Sequence, residues 1–393
     1  MNIHVCIVSD QILPNLIPVL MERPDKVWLA SSREMSARKL DQRLKKQLQR
    51  DGVAVEVLSD APDAGMRAIQ EYALGLATAI ETAHPSSEIT LNATGGNKLM
   101  AMGFVEVFRG IAQRVLYTDT FHRCIERLPS ADGTVHSPLQ MTEVLDVPRY
   151  LSVQGFATVR AVSDESGWAL SVASRKGAAK YLGREAAHLG PLIGTVNALA
   201  SQALKRDPGS RNETLVAPRQ DLREVPRGTW AKAMEELAKA KVLGWEPGGR
   251  EIIFIDVPRT QFLRGGWLEE FAWHIVHDEA PHDARMGVTV VIEGAGSGEN
   301  EFDVLATHGN QLLFIECKTL RFNPDENDNE LAYKLDSLGR QARGLFGETW
   351  LLSARDPTPA LLERARANRF RIIGPAELRN LRDLVRGWMG RTS

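Results

Sequence analysis

Four short apolar runs, separated by longer amphipathic stretches, organise roughly the first 145 residues. The runs have the length and composition of buried strands and lie at residues 3–8, 27–30, 53–58 and 89–92. The intervening stretches, at about 34–50 and 63–83, have the length of helices. Strands that alternate with helices in this way indicate βαβ units, so this part of the chain is predicted to be an α/β domain with a doubly wound parallel sheet.

Three of the predicted strands end in small or polar residues. These are Ser9, Asp10 and Gln11 after the first strand, Ser31 and Ser32 after the second, and Thr94, Gly95, Gly96, Asn97 and Lys98 after the fourth. Ligands of doubly wound sheets bind outside the carboxyl ends of the strands, so these segments are predicted to face one crevice. The paired glycines fit a turn that needs glycine for backbone reasons, but Lys98 places a cation beside amides that can bind phosphate. The segment lacks the spacing of a P-loop.

The segment NATGGNKLM at 92–100 resembles the signature of CARF domains, the CRISPR-associated Rossmann-fold sensors. In that family, the paired domains of a homodimer bind a cyclic oligoadenylate through the loop after the first strand and the TGG-Lys segment. The resemblance implies a sensor domain over residues 1–148. It also implies that the residues at 9–11 and 94–98 contact the ligand, and that this activator is cyclic tetra-adenylate.

Residues 149–257 differ in character and predict a helical connector, with an alanine-rich stretch at 192–204. Thr229 is a candidate N-cap for a helix that is followed by a strand, a Pro-Gly-Gly turn and a second strand. This order resembles a winged-helix unit. Nearby lysines favour DNA binding, whereas Glu235, Glu236 and the frequent use of such modules as spacers count against it.

Candidate chemistry is concentrated in the predicted third domain, residues 258–393. A glycine-led apolar helix carries two adjacent acids, Glu269 and Glu270, which alone would fit an ordinary solvated helix face. Downstream, two apolar strands joined by a hairpin turn carry Asp303 on the first strand and the sequence Glu316-Cys317-Lys318 on the second. The strand period of two places residues 316 and 318 on one face and residue 317 on the other.

These residue types suit phosphodiester hydrolysis. Mg²⁺ and Mn²⁺ prefer oxygen ligands, which Asp303, Glu316 and the backbone carbonyl of Cys317 can supply. Lys318 can stabilise developing negative charge or help to orient or deprotonate the attacking water; the sequence leaves both roles open. Histidines 274, 277 and 282 suggest zinc only weakly, because no HExxH motif or cysteine partner accompanies them.

The Asp-x12-Glu-x-Lys pattern with a preceding helix glutamate resembles the PD-(D/E)XK nucleases, and in particular the nuclease half of CARF-linked effectors. The resemblance implies catalytic roles for Glu269, Asp303, Glu316 and Lys318. Glu269 matches the family's helix acid better than Glu270 because that acid commonly follows a large apolar residue. The first acidic motif departs from Pro-Asp and is Glu-Phe-Asp. Tyr333, Lys334, Leu335 and Gln341 fit either contact with the nucleic-acid backbone or ordinary helix packing.

Composition narrows the class of protein. With 393 residues the chain predicts two or three domains, and its formal net charge of -2 means that any nucleic-acid site is a local patch. Three isolated cysteines suit a reducing cytoplasm and exclude a cysteine-built zinc site. The chain has neither a signal-peptide pattern nor an apolar run of membrane-spanning length, so we expect a cytoplasmic protein without membrane contact.

Together, the two resemblances imply a homodimeric, cyclic-oligoadenylate-activated nuclease of type III CRISPR defence that uses Mn²⁺ or Mg²⁺. The resemblance implies cleavage of single-stranded DNA or RNA, with nicking of duplex DNA left open. A transcription regulator with a winged-helix DNA reader and an inactive nuclease-like domain is the alternative. A nuclease whose first domain binds another nucleotide, or only dimerises, is a third hypothesis.

Overall fold

The computed structural model describes residues 1–207, 209, 212–294, 298–320, 331, 334–344 and 346–391, so the candidate contact residue Tyr333 lies outside the described part. Its N-terminal sheet has the strand order β3-β2-β1-β4-β5-β6-β7, in which the first five strands are parallel and the last two are antiparallel additions. The strands are β1 (Asn2–Ile7), β2 (Lys26–Ala30), β3 (Ala54–Leu58), β4 (Glu88–Asn92), β5 (Arg114–Asp119), β6 (Cys124–Arg127) and β7 (Leu139–Gln140). The predicted doubly wound α/β fold is therefore confirmed.

Helices cover both faces of this sheet because alternate residues of β1 point to opposite sides. Ile3 and Val5 belong to one hydrophobic cluster, whereas Cys6 belongs to another. The helices are α1 (Leu13–Glu22), α2 (Arg33–Ala37), α3 (Leu40–Arg50), α4 (Met66–Ala83) and α5 (Lys98–Phe108). The single helix predicted at 34–50 is in fact two, because Lys39 adopts a left-handed φ of 59° between them.

The connector contains a small three-stranded sheet beside a helix. Its elements are α6 (Val147–Val153), β8 (Phe156–Ala161), α7 (Trp168–Ala203), β9 (Leu204–Arg206), β10 (Glu213–Leu215), β11 (Arg219–Asp221), α8 (Thr229–Lys239), β12 (Leu243–Trp245) and β13 (Glu251–Phe254). The sheet order β11-β13-β12 next to α8 agrees with a winged-helix-like unit. The predicted N-cap was wrong by one residue: Gly228 occupies the cap, and Thr229 is the first residue of α8.

A six-stranded sheet with the order β18-β17-β16-β15-β14-β8 forms the C-terminal domain. Its strands are β14 (Asp283–Ile292), β15 (Glu299–His308), β16 (Gln311–Lys318), β17 (Gly347–Ser353) and β18 (Arg371–Ile373). The helices are α9 (Val257–Gln261), α10 (Trp267–Asp278), α11 (Gly339–Arg343), α12 (Pro359–Asn368) and α13 (Leu381–Trp388), with π-helical turns at Phe262–Gly266 and Lys334–Leu338. The predicted hairpin is present, since β15 and β16 pair antiparallel.

One strand of this sheet comes from the connector. β8 pairs antiparallel with β14, with Val288 opposite Ala161 and Ile292 opposite Phe156. The connector therefore completes the C-terminal sheet. The domain boundary at residue 257 remains a prediction. The connector before that boundary nevertheless supplies β8 to the sheet that follows it.

The sensor-like and C-terminal domains pack directly on each other. One hydrophobic cluster contains Leu16 of α1, Tyr150 of α6, and Leu335 and Ala342 from the far end of the chain. Polar contacts cross the same boundary, including Lys46 Nζ to Glu293 Oε1 at 2.9 Å. Among the described helices, none combines the length and apolar character needed to cross a membrane.

Candidate functional site

The carboxyl ends of β1 and β4 meet at one crevice, where the sequence predicts a bound ligand. Predicted contact residues, together with others from α1, β5 and later segments, line a cavity of about 350 Å³: Ser9, Asp10, Gln11, Pro14, Thr94, Gly96, Tyr117, Thr118, Thr120 and Phe346. An adjoining cavity of about 200 Å³ is lined in part by Ser9, Gly96 and Asn97. Phe346 comes from the C-terminal domain, so this sensor cavity lies where the two domains meet.

Within the crevice, polar side chains fix the loop after β4. Thr94 Oγ1 donates to Asn92 Oδ1 (2.6 Å) and accepts the backbone N–H of Thr118 (2.7 Å). Asn97 caps α5, because its side-chain oxygen accepts the N–H of Met100 (2.9 Å). Lys98 is exposed on the first turn of α5 and is absent from the described linings of both cavities.

Both glycines of the loop are required by their surroundings. A Cβ at Gly95 would lie 1.8 Å from the carbonyl oxygen of Ile7, and Gly96 has φ +69° with Ile7 Cγ2 2.6 Å from its Cβ position. The loop therefore packs directly on the end of β1. The prediction that the backbone requires glycine at these two positions is correct. Because the loop after β4 packs on the end of β1, the two strand ends share one cavity.

Gly95→Ala is expected to lower the free energy of unfolding by about 3 kcal/mol, the upper range for overpacking, because a methyl group cannot fit against a backbone carbonyl. Guanidinium unfolding would measure this. Gly110→Ala is the matched control, since no heavy atom lies within 4 Å of its Cβ position. Equal stability of the two variants would contradict this packing.

A second site forms where α10 approaches the end of β16. The π-helical turn before α10 contains Gly265 at φ +155°, and a Cβ there would lie 2.8 Å from Thr319 Oγ1. Asn197 of α7 bridges the same place, donating to the carbonyl of Arg264 and to Thr319 Oγ1 (3.3 Å). These contacts hold the first turn of α10, and with it Glu269, beside β16.

The predicted acids meet at this point, together with a lysine that the sequence had not assigned to catalysis. The side chain of Glu316 is only 3% exposed; its Oε2 lies 2.6 Å from Lys334 Nζ, and its Oε1 lies 3.8 Å from Lys318 Nζ. Asp303 Oδ2 accepts the backbone N–H of Cys317 (2.7 Å). The contact described at Cys317 is thus made by its amide; a role for its carbonyl stays a prediction.

The carboxylates of Glu269, Asp303 and Glu316 repel one another at a buried site. Burial raises the pKa of Glu269 to about 7, with further contributions from Glu301 and Glu316. Burial, followed by the charges of Glu316 and Glu269, also raises the pKa of Asp303 well above its usual value. Burial disfavours a charged Lys334, but Glu316 and Asp303 outweigh that effect and raise its pKa. The cluster therefore favours a bound cation.

Only one of the two adjacent glutamates faces this cluster. Glu270 accepts hydrogen bonds from Arg175 of α7, with Nη2–Oε1 at 2.6 Å, and both side chains are 7% exposed. Glu269 interacts electrostatically with Asp303 and Glu316 instead. Glu270 therefore makes a structural ion pair, and the role of Glu269 as the helix acid stays a prediction.

The donor chemistry of Glu269, Asp303 and Glu316 fits Mg²⁺ or Mn²⁺, since these ions prefer carboxylate oxygens. Across the described ranges, however, no three His, Cys, Asp or Glu side chains are arranged as a ready metal site. The ammonium of Lys334 lies at Glu316 instead. The chemistry of the donors suits a divalent cation.

The three histidines that suggested zinc have separate surroundings. His274 is 3% exposed, His277 stacks on Trp273 with ring centroids 4.5 Å apart, and His282 lies 3.7 Å from Glu143. Within the described residues they do not converge on one point. Their surroundings give no support to a zinc site at these three histidines.

His274 should make stability depend on pH. Burial, with a smaller effect from Lys176, lowers its pKa from 6.5 to about 4. The unfolded chain binds a proton near pH 6.5 and the folded chain does so only near pH 4, so stability falls as pH falls through this window. The expected loss is at most roughly 3 kcal/mol. Unfolding at pH 7.5 and 4.5 would show a smaller drop for His274→Gln than for the wild type, whereas His188→Gln, at an exposed position of α7, should retain the full drop.

Family comparisons agree with this two-part arrangement. Residues 3–150 match the family model described as the Card1 CARF domain, and residues 256–392 match that of the Card1-like endonuclease domain. No curated protein sequence matches the chain. The chain belongs to the CARF-domain nucleases, in which a CARF domain is fused to an endonuclease domain.

Solved structures share the whole fold at low sequence identity. Protein VC1899 from Vibrio cholerae superposes with a TM-score of 0.81 at 22% identity, over 99% of this chain and 98% of that chain. Can2 from Sulfobacillus thermosulfidooxidans, solved with cyclic tetra-adenylate, gives a TM-score of 0.75 at 22% identity, over 99% and 97%. A type III CRISPR defence DNA nuclease activated by cyclic oligoadenylate gives 0.52 at 17% identity; the match covers 91% of this chain and 46% of that one.

Proposed function

We propose that this protein is a metal-dependent nuclease of type III CRISPR defence that is activated by cyclic tetra-adenylate and acts as a homodimer. The observation that carries the proposal is the convergence of Glu269, Asp303 and Glu316 with two lysines in an endonuclease fold. The pattern supports PD-(D/E)XK chemistry. Single-stranded DNA or RNA is the expected substrate, and light scattering of the purified protein would test the dimer.

Each residue of the cluster has a separate task in this proposal. Asp303, Glu316 and the backbone carbonyl of Cys317 would hold a divalent cation beside Glu269, and that cation would activate water and neutralise phosphate charge. The Cys317 amide fixes the orientation of Asp303. Lys318 has a side chain that is 43% exposed, so it can reach a substrate phosphate while remaining near Glu316.

The sensor assignment rests on the CARF family match and on the 350 Å³ cavity beside the predicted contact residues. Can2 was solved with cyclic tetra-adenylate, and its fold covers nearly all of this chain. These findings support the same activator here. A ligand can activate only if it binds the active and inactive arrangements with different affinity, so the cavity must change between them.

Cleavage assays test this function directly. Labelled single-stranded DNA, single-stranded RNA and supercoiled plasmid are incubated with Mn²⁺ or EDTA, with and without cyclic tetra-adenylate. Cutting that requires both the metal and the ligand is expected. Metal-dependent cutting at the same rate with and without the ligand would contradict the sensor role. The absence of cutting under every condition would favour the DNA-binding regulator.

A further inference from the structure

A single helical segment connects the carboxylate cluster with the sensor cavity. It consists of the π-helical turn Lys334–Leu338 and α11 (Gly339–Arg343), and we call residues 334–343 the coupling segment. Its first residue contacts the carboxylate cluster, and its last residue lies three positions before Phe346 of the sensor cavity.

At its first residue, the coupling segment contacts the nuclease centre. Lys334 Nζ lies 2.6 Å from Glu316 Oε2, closer than the 3.8 Å between Lys318 Nζ and Oε1 of the same glutamate. The side chain of Lys334 is 26% exposed and that of Glu316 is 3% exposed. An ammonium this close to a buried carboxylate occupies an oxygen that a divalent cation would need.

The other end of the coupling segment contacts the connector, close to the sensor cavity. The hydroxyl of Tyr150 in α6 donates to the carbonyl of Arg343 (2.6 Å). Three residues further along the chain, Phe346 lines the sensor cavity with Ser9 and Thr94. A ligand that fills this cavity must therefore contact or displace Phe346.

Between the two ends, close packing makes the coupling segment stiff. Leu335 is 2% exposed and Ala342 is fully buried. A Cβ on Gly339 would lie 3.4 Å from the ring of Phe314 in β16 and 3.3 Å from Thr349 Oγ1 in β17. Packed interiors of this kind transmit a displacement rather than absorb it.

We propose that the coupling segment carries ligand occupancy from the sensor cavity to Glu316, with Lys334 as the positioning residue. Without ligand, the ammonium of Lys334 holds Glu316. When a ligand displaces Phe346, the segment shifts and Lys334 releases the carboxylate for a divalent cation. The overlap of the ligand with Phe346 supplies the difference in affinity that such a switch requires. This inference rests on the proposed function and specifies its regulation.

Isothermal titration of Mn²⁺ into the full-length protein, with and without cyclic tetra-adenylate, tests the proposal without relying on cleavage. In the wild type, the ligand should tighten Mn²⁺ binding about tenfold, which is about 1.4 kcal/mol. Without ligand, Lys334→Met should bind Mn²⁺ as tightly as the ligand-bound wild type does, and adding the ligand should not tighten its Mn²⁺ binding further. Lys334→Arg keeps the charge and should keep the weak ligand-free affinity, while Lys205→Met, at an exposed position, should behave as the wild type.

Phe346→Ala tests the sensor end. It should still bind cyclic tetra-adenylate, but its Mn²⁺ affinity should no longer respond to the ligand, whereas Phe121→Ala, at a side chain that is 86% exposed, should respond fully. A Lys334→Met protein that binds Mn²⁺ no more tightly than the wild type would overturn the proposal, as would a full response in Phe346→Ala. Either result, with ligand-dependent cleavage in the wild type, would leave the proposed function standing; a wild type that neither binds the ligand nor cleaves would overturn both.

Discussion

Glu316→Gln is expected to lower the rate of nucleic-acid cleavage by about 10³-fold, which corresponds to roughly 4 kcal/mol of transition-state stabilisation. The amide retains the size of the side chain but removes the charge that faces both Lys318 and Lys334. It also removes the buried carboxylate best placed to bind a divalent cation. Single-turnover cleavage at saturating Mn²⁺ and cyclic tetra-adenylate would measure the loss.

Its matched control is Glu363→Gln, because Glu363 is exposed on α12, away from the cluster. That variant should cleave at the wild-type rate. Loss of the Glu316 charge removes the partner of Lys334 but also relieves repulsion with Asp303, so we expect the variant to fold, as thermal unfolding would verify. A folded Glu316→Gln protein that cleaves within tenfold of the wild-type rate would exclude the assigned centre.

The adjacent glutamates of α10 should give opposite phenotypes under the same chemical change. Glu270→Gln is expected to lower the free energy of unfolding by about 3 kcal/mol, because it leaves Arg175 buried without a counter-charge. Glu269→Gln should leave stability unchanged or raise it, since it removes one of several crowded negative charges, yet it should abolish cleavage. Urea unfolding and cleavage of each variant would measure both effects.

Each variant of this pair controls for the other, because the substitutions lie one residue apart on one helix. If Glu270→Gln lost cleavage at unchanged stability while Glu269→Gln remained active, the helix acid would be the second glutamate. If both variants lost the same stability, the ion pair with Arg175 would not distinguish Glu270 from Glu269. The comparison therefore tests the orientation of α10 as well as the chemistry.

Local periodicity was enough to predict the features of this protein that depend on neighbouring residues. Apolar runs with strand length predicted the parallel sheet, and the strand period of two predicted that Glu316 and Lys318 share a face. The position of Asp303 followed from the hairpin between β15 and β16. Each of these relations is set within one or two elements.

Contacts between distant parts of the chain were not predictable in this way. The hydrogen bond between Asn197 and Thr319 joins residues 122 positions apart, and no local pattern indicates it. The contact of Lys334 with Glu316 likewise depends on how the coupling segment packs across β16 and β17. The steric need for glycine at 95 became evident only once Ile7 was placed beside it.

The pairing of β8 with β14 limits how this protein can be divided. A fragment beginning at residue 258 would lack Phe156–Ala161 and leave the backbone of β14 open along one edge. Open strand edges pair with other chains, so such a fragment should aggregate. The nuclease domain therefore cannot be moved to another protein without the connector. If the sensor is exchanged for another regulatory domain, in evolution or by design, the connector must stay with the nuclease domain.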